Sequence, residues 1–418
     1  MSRVGEAVAP RRLGRRFRWL LASSWVSNLG DGFALAAGPL LVAAETRDPT
    51  LVALATLLQR LPWLLFAVLA GVIADRHDRA RIVVVVDTVR GVLVALLALS
   101  IVTSVVDIAV VLAALFLLGA AEVFSNTASN AILPSLVDRD DLTLANARLQ
   151  GGFYTVYQLV GPPVGAVLVT AGMAVPFVAQ AGLVMAGAGL MARVGAGRAA
   201  PPGGPPAERR MRAEVAEGFR WVRSSPAVRT LVLTILIFNV TFGAAWSVLV
   251  LWSQERLHMG DLGFGVLTAA SAAGGVAGIA AYGRITKRVS LGNMMRVGLL
   301  IETFTHLAFA LTTSQVVAVV IMTVFGAHAF VWGTTSVTVR QLAVPDELRG
   351  RVNAINSLGV FGGIVVGSAL GGPIATRFGI TAPFWFAFVG SAVFVVAIWR
   401  QLAHVAHDDQ PAGSVTPA

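Results

Sequence analysis

From Trp19 onward the chain alternates between long apolar runs and short polar connections. A helix needs roughly 20 apolar residues to cross the hydrocarbon of a bilayer. Twelve runs meet that length. Six lie in the first half: Trp19 to Val42, Leu51 to Ile73, Ile82 to Thr103, Ile108 to Leu133, Gly151 to Thr170 and Val175 to Val194. Six follow in the second: Leu231 to Leu251, Leu262 to Tyr282, Met294 to Leu311, Val316 to Thr338, Val352 to Ile374 and Ala382 to Leu402. The pattern predicts an all-α membrane protein with twelve transmembrane helices in two pseudo-symmetric six-helix bundles. The first run is too long for the apolar core of a signal peptide and lacks a small-residue cleavage site, so it reads as an uncleaved span.

The connections alternate in charge. With the N-terminus placed inside, only Arg47, Arg256 and Arg377 of the 32 basic residues fall in outside loops, and Arg60 and Arg90 fall within spans. Inner loops retain Lys and Arg, so this bias predicts both termini in the cytoplasm. One connection is long. Arg193 to Pro226 begins with a Pro/Gly-rich stretch, irregular over Pro201 to Pro206, and ends in a basic amphipathic segment from Ala207 to Arg223. The expected organisation is a first bundle over 1–192, a cytoplasmic linker over 193–226, a second bundle over 227–404 and a flexible tail over 405–418. A single offset of 207 positions places Gly71 to Arg81 on Gly278 to Arg288, and Val137 to Ala147 on Val344 to Ala354. Both pairs land in equivalent inner loops, the pattern of a duplicated half.

Composition agrees with lipid as the solvent. Hydrophobic residues make up 56% of 418, charged residues only 13%, and mean hydropathy is +0.76. That is too little polar surface for a soluble chain, which carries about 25% charged residues. The net charge of +10 is scattered over loops rather than gathered on one face, which argues against nucleic acid as a partner. There is no cysteine, and the six histidines show no metal-ligand spacing. No nucleophile–base arrangement or nucleotide loop occurs. The sequence therefore points away from an enzyme, and no metal or cofactor is expected.

The sharpest local motif lies between the second and third runs: Gly71, Asp75, Arg76, Arg79 and Arg81 within GVIADRHDRAR. It resembles the loop signature of the major facilitator superfamily, Gly-x-x-x-Asp-Arg/Lys-x-Gly-Arg/Lys-Arg/Lys. Asp78 stands where that signature has glycine, and Ala80 where it has a basic residue. The resemblance implies a cytoplasmic gate. In it Gly71 permits close helix approach, and Asp75 meets the N-terminus of the eleventh helix near Arg351. The arginines would pair with loop acids such as Asp138, Asp140 or Asp141; the plainer reading is that they are ordinary inner-loop charges. SNLGDGF in the first run, Gly161-Pro162-Pro163-Val164-Gly165 in the fifth and EGFRWVRSSPAVR before the seventh are similar to the bacterial drug and siderophore exporter subgroup, macrolide-efflux and enterobactin-exporter proteins included. Gly161, Pro162 and Gly165 resemble part of an antiporter signature and would form a hinge in the fifth helix. Tyr157 and Ala166 depart from its outer glycines, and the fourth run lacks the arginine of many proton-coupled relatives.

Ionisable groups inside spans are costly and are candidate functional sites. Asp31, Arg60, Glu122, Glu302, His306 and His328 all sit near mid-span. In the superfamily, helices one, four, seven and ten line the cavity. By that resemblance Asp31 and Glu122 are the proton-coupling pair. Asn28, Arg60, Asn239, Trp246, His328 and Trp332 are cavity residues. Two other readings stand beside these. Asp31 and Glu122 could be structural ion-pair partners of Arg60 or Arg90. Trp246, Trp252 and Trp332 could face lipid rather than an aromatic ligand. Glu302 and His306, four apart on the ninth span, read as a structural pair. The expected function is proton-coupled export of amphipathic small molecules across a bacterial inner membrane, by a monomer whose partners are substrate, protons and lipid. Import or uniport of a metabolite is the alternative. A non-transporting receptor or a lipid scramblase on the same fold represents a different class.

Overall fold

The computed structural model describes residues 10–195, 217–345 and 348–404. Pro201 to Pro206, expected to be irregular, most of the segment expected to be amphipathic and the expected tail lie outside the described residues. All twelve expected spans are present as helices: Gly14–Glu45, Pro49–Arg76, Arg79–Val102, Ile108–Ser135, Arg139–Ala171 and Val175–Ala192, then Val228–Glu255, Leu262–Ile285, Leu291–Leu311, Gln315–Ala343, Gly350–Phe378 and Ala382–Gln401. Most run several residues past the apolar stretch because their polar ends carry caps. Asp48 accepts from Thr50 N at 2.8 Å ahead of Pro49, Asp78 from Ala80 N at 2.9 Å, and Asp107 from Val110 N at 2.9 Å. Each satisfies a backbone donor that the first helical turn leaves open.

The third span shows how such a helix is read. Val85, Val89, Val92, Leu96 and Leu99 are all exposed, while Val83, Asp87, Arg90, Val94 and Leu97 are buried. The spacing of three and four puts each set on one face. The apolar face meets lipid and the polar pair turns inward, the reverse of a water-soluble helix.

The chain divides into two compact units, residues 1–207 with 258–269, and 208–257 with 270–418. In the first, span one packs on spans five and six, span three on spans four and six, and span two on span four. In the second, span seven packs on eleven and twelve, and span nine on ten and twelve. Gly274, Gly278 and Gly326 close span eight onto span ten. These are the same pairings six helices later, so the duplication suggested by two loop motifs extends to the packing of each unit.

The fifth span departs from a simple helix. It is π-helical over Phe153–Val160 and α-helical over Gly161–Ala171. Pro162 and Pro163 have no N–H to give the carbonyls four residues back. The backbone widens one turn earlier, and Gly161 donates to Val156 O, five residues back. Just there the first and fifth spans touch backbone to backbone. A Cβ added at Gly161 would lie 2.5 Å from Gly32 Cα, one at Gly32 would lie 2.7 Å from Tyr157 O, and one at Gly165 would fall on the Phe33 backbone. Gly161 and Gly165 are therefore contact residues, and Pro162 marks the register change; the expected hinge takes the form of a tight crossing beside a π-helix. Gly161→Val should cost at least the ~1–3 kcal/mol of an overpacked core. A thermal midpoint in detergent equal to that of the unaltered chain would contradict this.

Candidate functional site: a charge network in the first unit

Six spans deliver polar side chains to one region of the first unit. Asp31, from span one, is the best served. Nη2 of Arg90, on span three, donates to both its carboxylate oxygens, at 3.0 and 2.8 Å. Nε2 of Gln180, on span six, adds a third bond at 3.1 Å. Asp87 lies one turn before Arg90, with its Oδ1 3.6 Å from Nη1. That is beyond a good hydrogen bond. Ser125 of span four neighbours the same carboxyl, and among the described residues nothing hydrogen-bonds Oδ1 itself. Asp87 is 3% exposed and Arg90 6%.

Glu122, half-buried on span four, has Arg60, Asp31 and Arg90 as its charged neighbours. Tyr157, on the π-helical turn of span five, is stacked on Phe153 with ring centroids 4.8 Å apart and sits in the field of all four groups. Asn28 donates to Ser24 Oγ at 3.3 Å, back along its own helix. The network thus holds three carboxyls, Asp31, Asp87 and Glu122, against two guanidiniums, Arg60 and Arg90.

Of the two readings of Asp31, the structure shows the ion pair with Arg90 at 2.8 Å. Asp87, Gln180 and Ser125 were not among the residues expected from the sequence. Asp87 carried a legible signal, since an acid and a base three apart on one helix face can meet. Gln180, 149 residues from Asp31, carried none.

The gate motif is only partly as expected. Asp75 pairs with Arg79 at 3.6 Å. Arg79 also donates to Ala74 O at 3.1 Å and Ala131 O at 2.8 Å, tying the loop to span four. Arg76 and Arg81 are exposed. Asp141 is paired with Arg12 at 3.4 Å rather than with a motif arginine. A Cβ at Gly71 would meet nothing within 4 Å, so the close approach expected there is absent. Asp78, which replaces the glycine of the signature, has the separate job of capping span three.

The second unit corrects more of the expectations. Glu302 meets Nε2 of His328 at 3.5 Å, not His306. His306 is fully buried, its ring perpendicular to that of Trp246 at 5.8 Å. A ring at 328 and another at 332 both rest on Gly298 of span nine, where a Cβ would collide with Trp332 and crowd His328. These two side chains therefore pack inside the unit, where the reading of span ten as a cavity wall had them facing substrate. Asn239 donates to Ile235 O at 2.7 Å and is turned toward its own helix. Trp252 is fully buried between Phe309 and Phe384, facing neither lipid nor ligand. Trp246 remains half-buried, stacked with Phe242 at 4.5 Å and against Phe325 at 4.6 Å.

Residues 6–414 match the sequence model of the transmembrane secretion effectors. The chain belongs to this family of the major facilitator superfamily. Among its curated relatives is the enterobactin exporter EntS of Shigella boydii, 26% identical over 365 residues, which cover 85% of this chain and 84% of that protein. The multidrug efflux pump Tap of Mycolicibacterium fortuitum is 27% identical over 388 residues, covering 87% and 90%. Solved structures with the same fold include a mutant of the nucleoside transporter NupG, at TM-score 0.73 and 12% identity, covering 92% of this chain and 99% of that one. A bacterial homologue of the human lysosomal transporter Spinster aligns at TM-score 0.70 and 16% identity, covering 96% and 99%. The transmembrane secretion effector assignment makes this a multi-pass membrane transporter. Among the described residues, no group of three or more His, Asp or Glu side chains is arranged to hold a metal ion.

Proposed function

We propose that the chain is a proton-coupled exporter of amphipathic small molecules, working by alternating access in a bacterial inner membrane, with both termini cytoplasmic. The observation that carries the reading is the excess of one carboxyl over guanidinium in the buried network of the first unit. The third carboxyl, unmatched by a guanidinium, gives the network a place to take up and release a proton. Asp31 and Glu122 are the coupling residues expected from the sequence, and Asp87 joins them. Proton release toward the cytoplasm leaves a net negative site that attracts a cationic amphipath. Proton entry from outside neutralises it and favours substrate release. The Asp75 loop, tied to span four through Arg79, acts as the cytoplasmic gate.

Export, rather than uptake, is supported by relatives described as an exporter and an efflux pump. Direction is tested in cells with ethidium as the probe. Cells producing the chain should accumulate less ethidium than cells with an empty vector, and a protonophore should abolish the difference. Greater accumulation in the producing cells would make the protein an importer. A difference that survives the protonophore would remove the proton from the scheme.

A further inference from the structure

The buried titratable groups of the second unit have no part in the network of the first. Glu302 and His306 stand one turn apart on span nine, and His328 stands on span ten. All three lie near mid-span, where an ionisable side chain is costly and marks a site. Oε2 of Glu302 faces Nε2 of His328 across the two spans at 3.5 Å, with the side chains 12% and 3% exposed. Gly298, one turn before Glu302, makes room for the imidazole: a Cβ there would lie 3.2 Å from Cε1 and Nδ1 of His328. The contact is therefore set by the packing of two helices, not by two long side chains meeting at a surface. His306 shares a face of span nine with Glu302. It is fully buried with its ring perpendicular to that of Trp246, and the carboxylate turns to His328 instead.

The other ionisable groups on the spans of this unit lie toward the span ends. Among the described residues these are Arg229 and Glu255 on span seven, Tyr282 and Arg284 on span eight, Arg296 on span nine and Arg340 on span ten. Arg351 and Arg377 on span eleven and Arg400 on span twelve complete them. At mid-span the pair has only His306 as a titratable neighbour. Imidazole is the side chain whose charge changes between about pH 5 and 8. A proton arriving from water forms a second N–H bond on the His328 ring. The imidazolium then stands opposite the Glu302 carboxylate, and the net charge of the pair goes from minus one to zero. A buried charge is tolerated when it is paired, so proton and carboxylate belong to one site. The charged pair ties span nine to span ten, and loss of the proton leaves a carboxylate beside a neutral ring. Spans nine and ten are the counterparts of spans three and four, which carry Arg90 and Glu122 in the first unit.

We propose that Glu302 and His328 form a proton-binding site belonging to the second unit, in which His328 takes the proton and Glu302 is its counter-charge. The site is separate from the network of Asp31, Asp87 and Glu122, and it holds for export and import alike.

The test uses the purified full chain in detergent, labelled with 15N in its six histidines. The ring nitrogens are read by NMR as the pH is varied between about 5 and 8, since their shifts separate an imidazolium from a neutral ring. The resonance missing from the His328→Asn chain should pass from neutral to imidazolium as the pH falls. His328→Gln supplies the same assignment if His328→Asn fails to fold. Glu302→Gln keeps the shape and removes the counter-charge, so the His328 ring should then stay neutral over the whole range. Asp31→Asn, in the first unit, should leave the His328 titration unchanged. A His328 ring that is neutral throughout in the unaltered chain would overturn the proposal, and so would a titration that persists in Glu302→Gln. Loss of the titration in Asp31→Asn would overturn it too, by making this proton part of the first unit's network.

Discussion

Arg90→Met should be among the most damaging single substitutions in the first unit. Arg90 is the only guanidinium that Asp31 and Asp87 contact in the described residues, at 2.8 and 3.6 Å, and it is 7% exposed at its side chain. Removing one partner of a buried ion pair leaves an uncompensated charge and typically costs about 3–5 kcal/mol. Here two carboxyls lose their partner at once. The variant should show a much lower thermal midpoint in detergent and a reduced folded yield. Arg90→Lys keeps the charge, but a single ammonium cannot replace a planar fork that reaches Asp31 and Asp87 from separate nitrogens; it should fall between the two. Arg90→Met/Asp31→Asn should recover part of the loss, because one of the stranded carboxyls is gone. An Arg90→Met protein as stable as the unaltered chain would show that the network does not hold spans one and three together.

The second large effect concerns coupling and follows from counting charges. Asp31→Asn, Glu122→Gln and Asp87→Asn each reduce three carboxyls to two, matching the two arginines. Each balanced network has no surplus carboxyl to take up and release a proton. All three variants should fold, since two carboxyls still stand against the two guanidiniums. All three should lose uphill transport by about tenfold or more while retaining downhill exchange, the loss of at least ~1.4 kcal/mol of driving force per turnover. The three should behave alike because the proton belongs to the network and not to one side chain. If only one of them altered uphill transport, the proton would reside on that residue alone.

The spans were legible because the bilayer imposes a strict demand: roughly twenty apolar residues and no unpaired backbone polar group. The duplication was legible from two loops, and packing of spans one on five and seven on eleven repeats it. What each side chain meets was harder. Asp31 and Arg90 could be read as possible partners because both are charged and mid-span. The supporting bond from Gln180 depends on the sixth span lying beside the first, which no local pattern announces. His328 and Trp332 were assigned to a cavity by the place of span ten in the superfamily. Their rings turn to span nine because Gly298 leaves a hollow there, and one glycine in a run of 43 across the chain gives no warning. Asp78 read as a departure from the loop signature, yet its short carboxylate suits a helix N-terminus, where it accepts from Ala80 N and Arg81 N. Gly161, Pro162 and Gly165 were expected as a hinge, and nothing in the sequence showed that the missing N–H of Pro162 and Pro163 would widen the helix one turn earlier, over Phe153–Val160.

The most direct test of proton-coupled transport is ethidium movement in liposomes containing the purified chain, acid inside and neutral outside, with the membrane potential clamped by valinomycin and equal potassium. Outward proton flow should drive ethidium inward against its gradient, read by its fluorescence on DNA trapped in the lumen. Asp87→Asn liposomes should equilibrate ethidium without accumulating it. The account is contradicted if the unaltered chain ignores the pH gradient, or if the Asp87→Asn protein accumulates ethidium as well as the unaltered chain does.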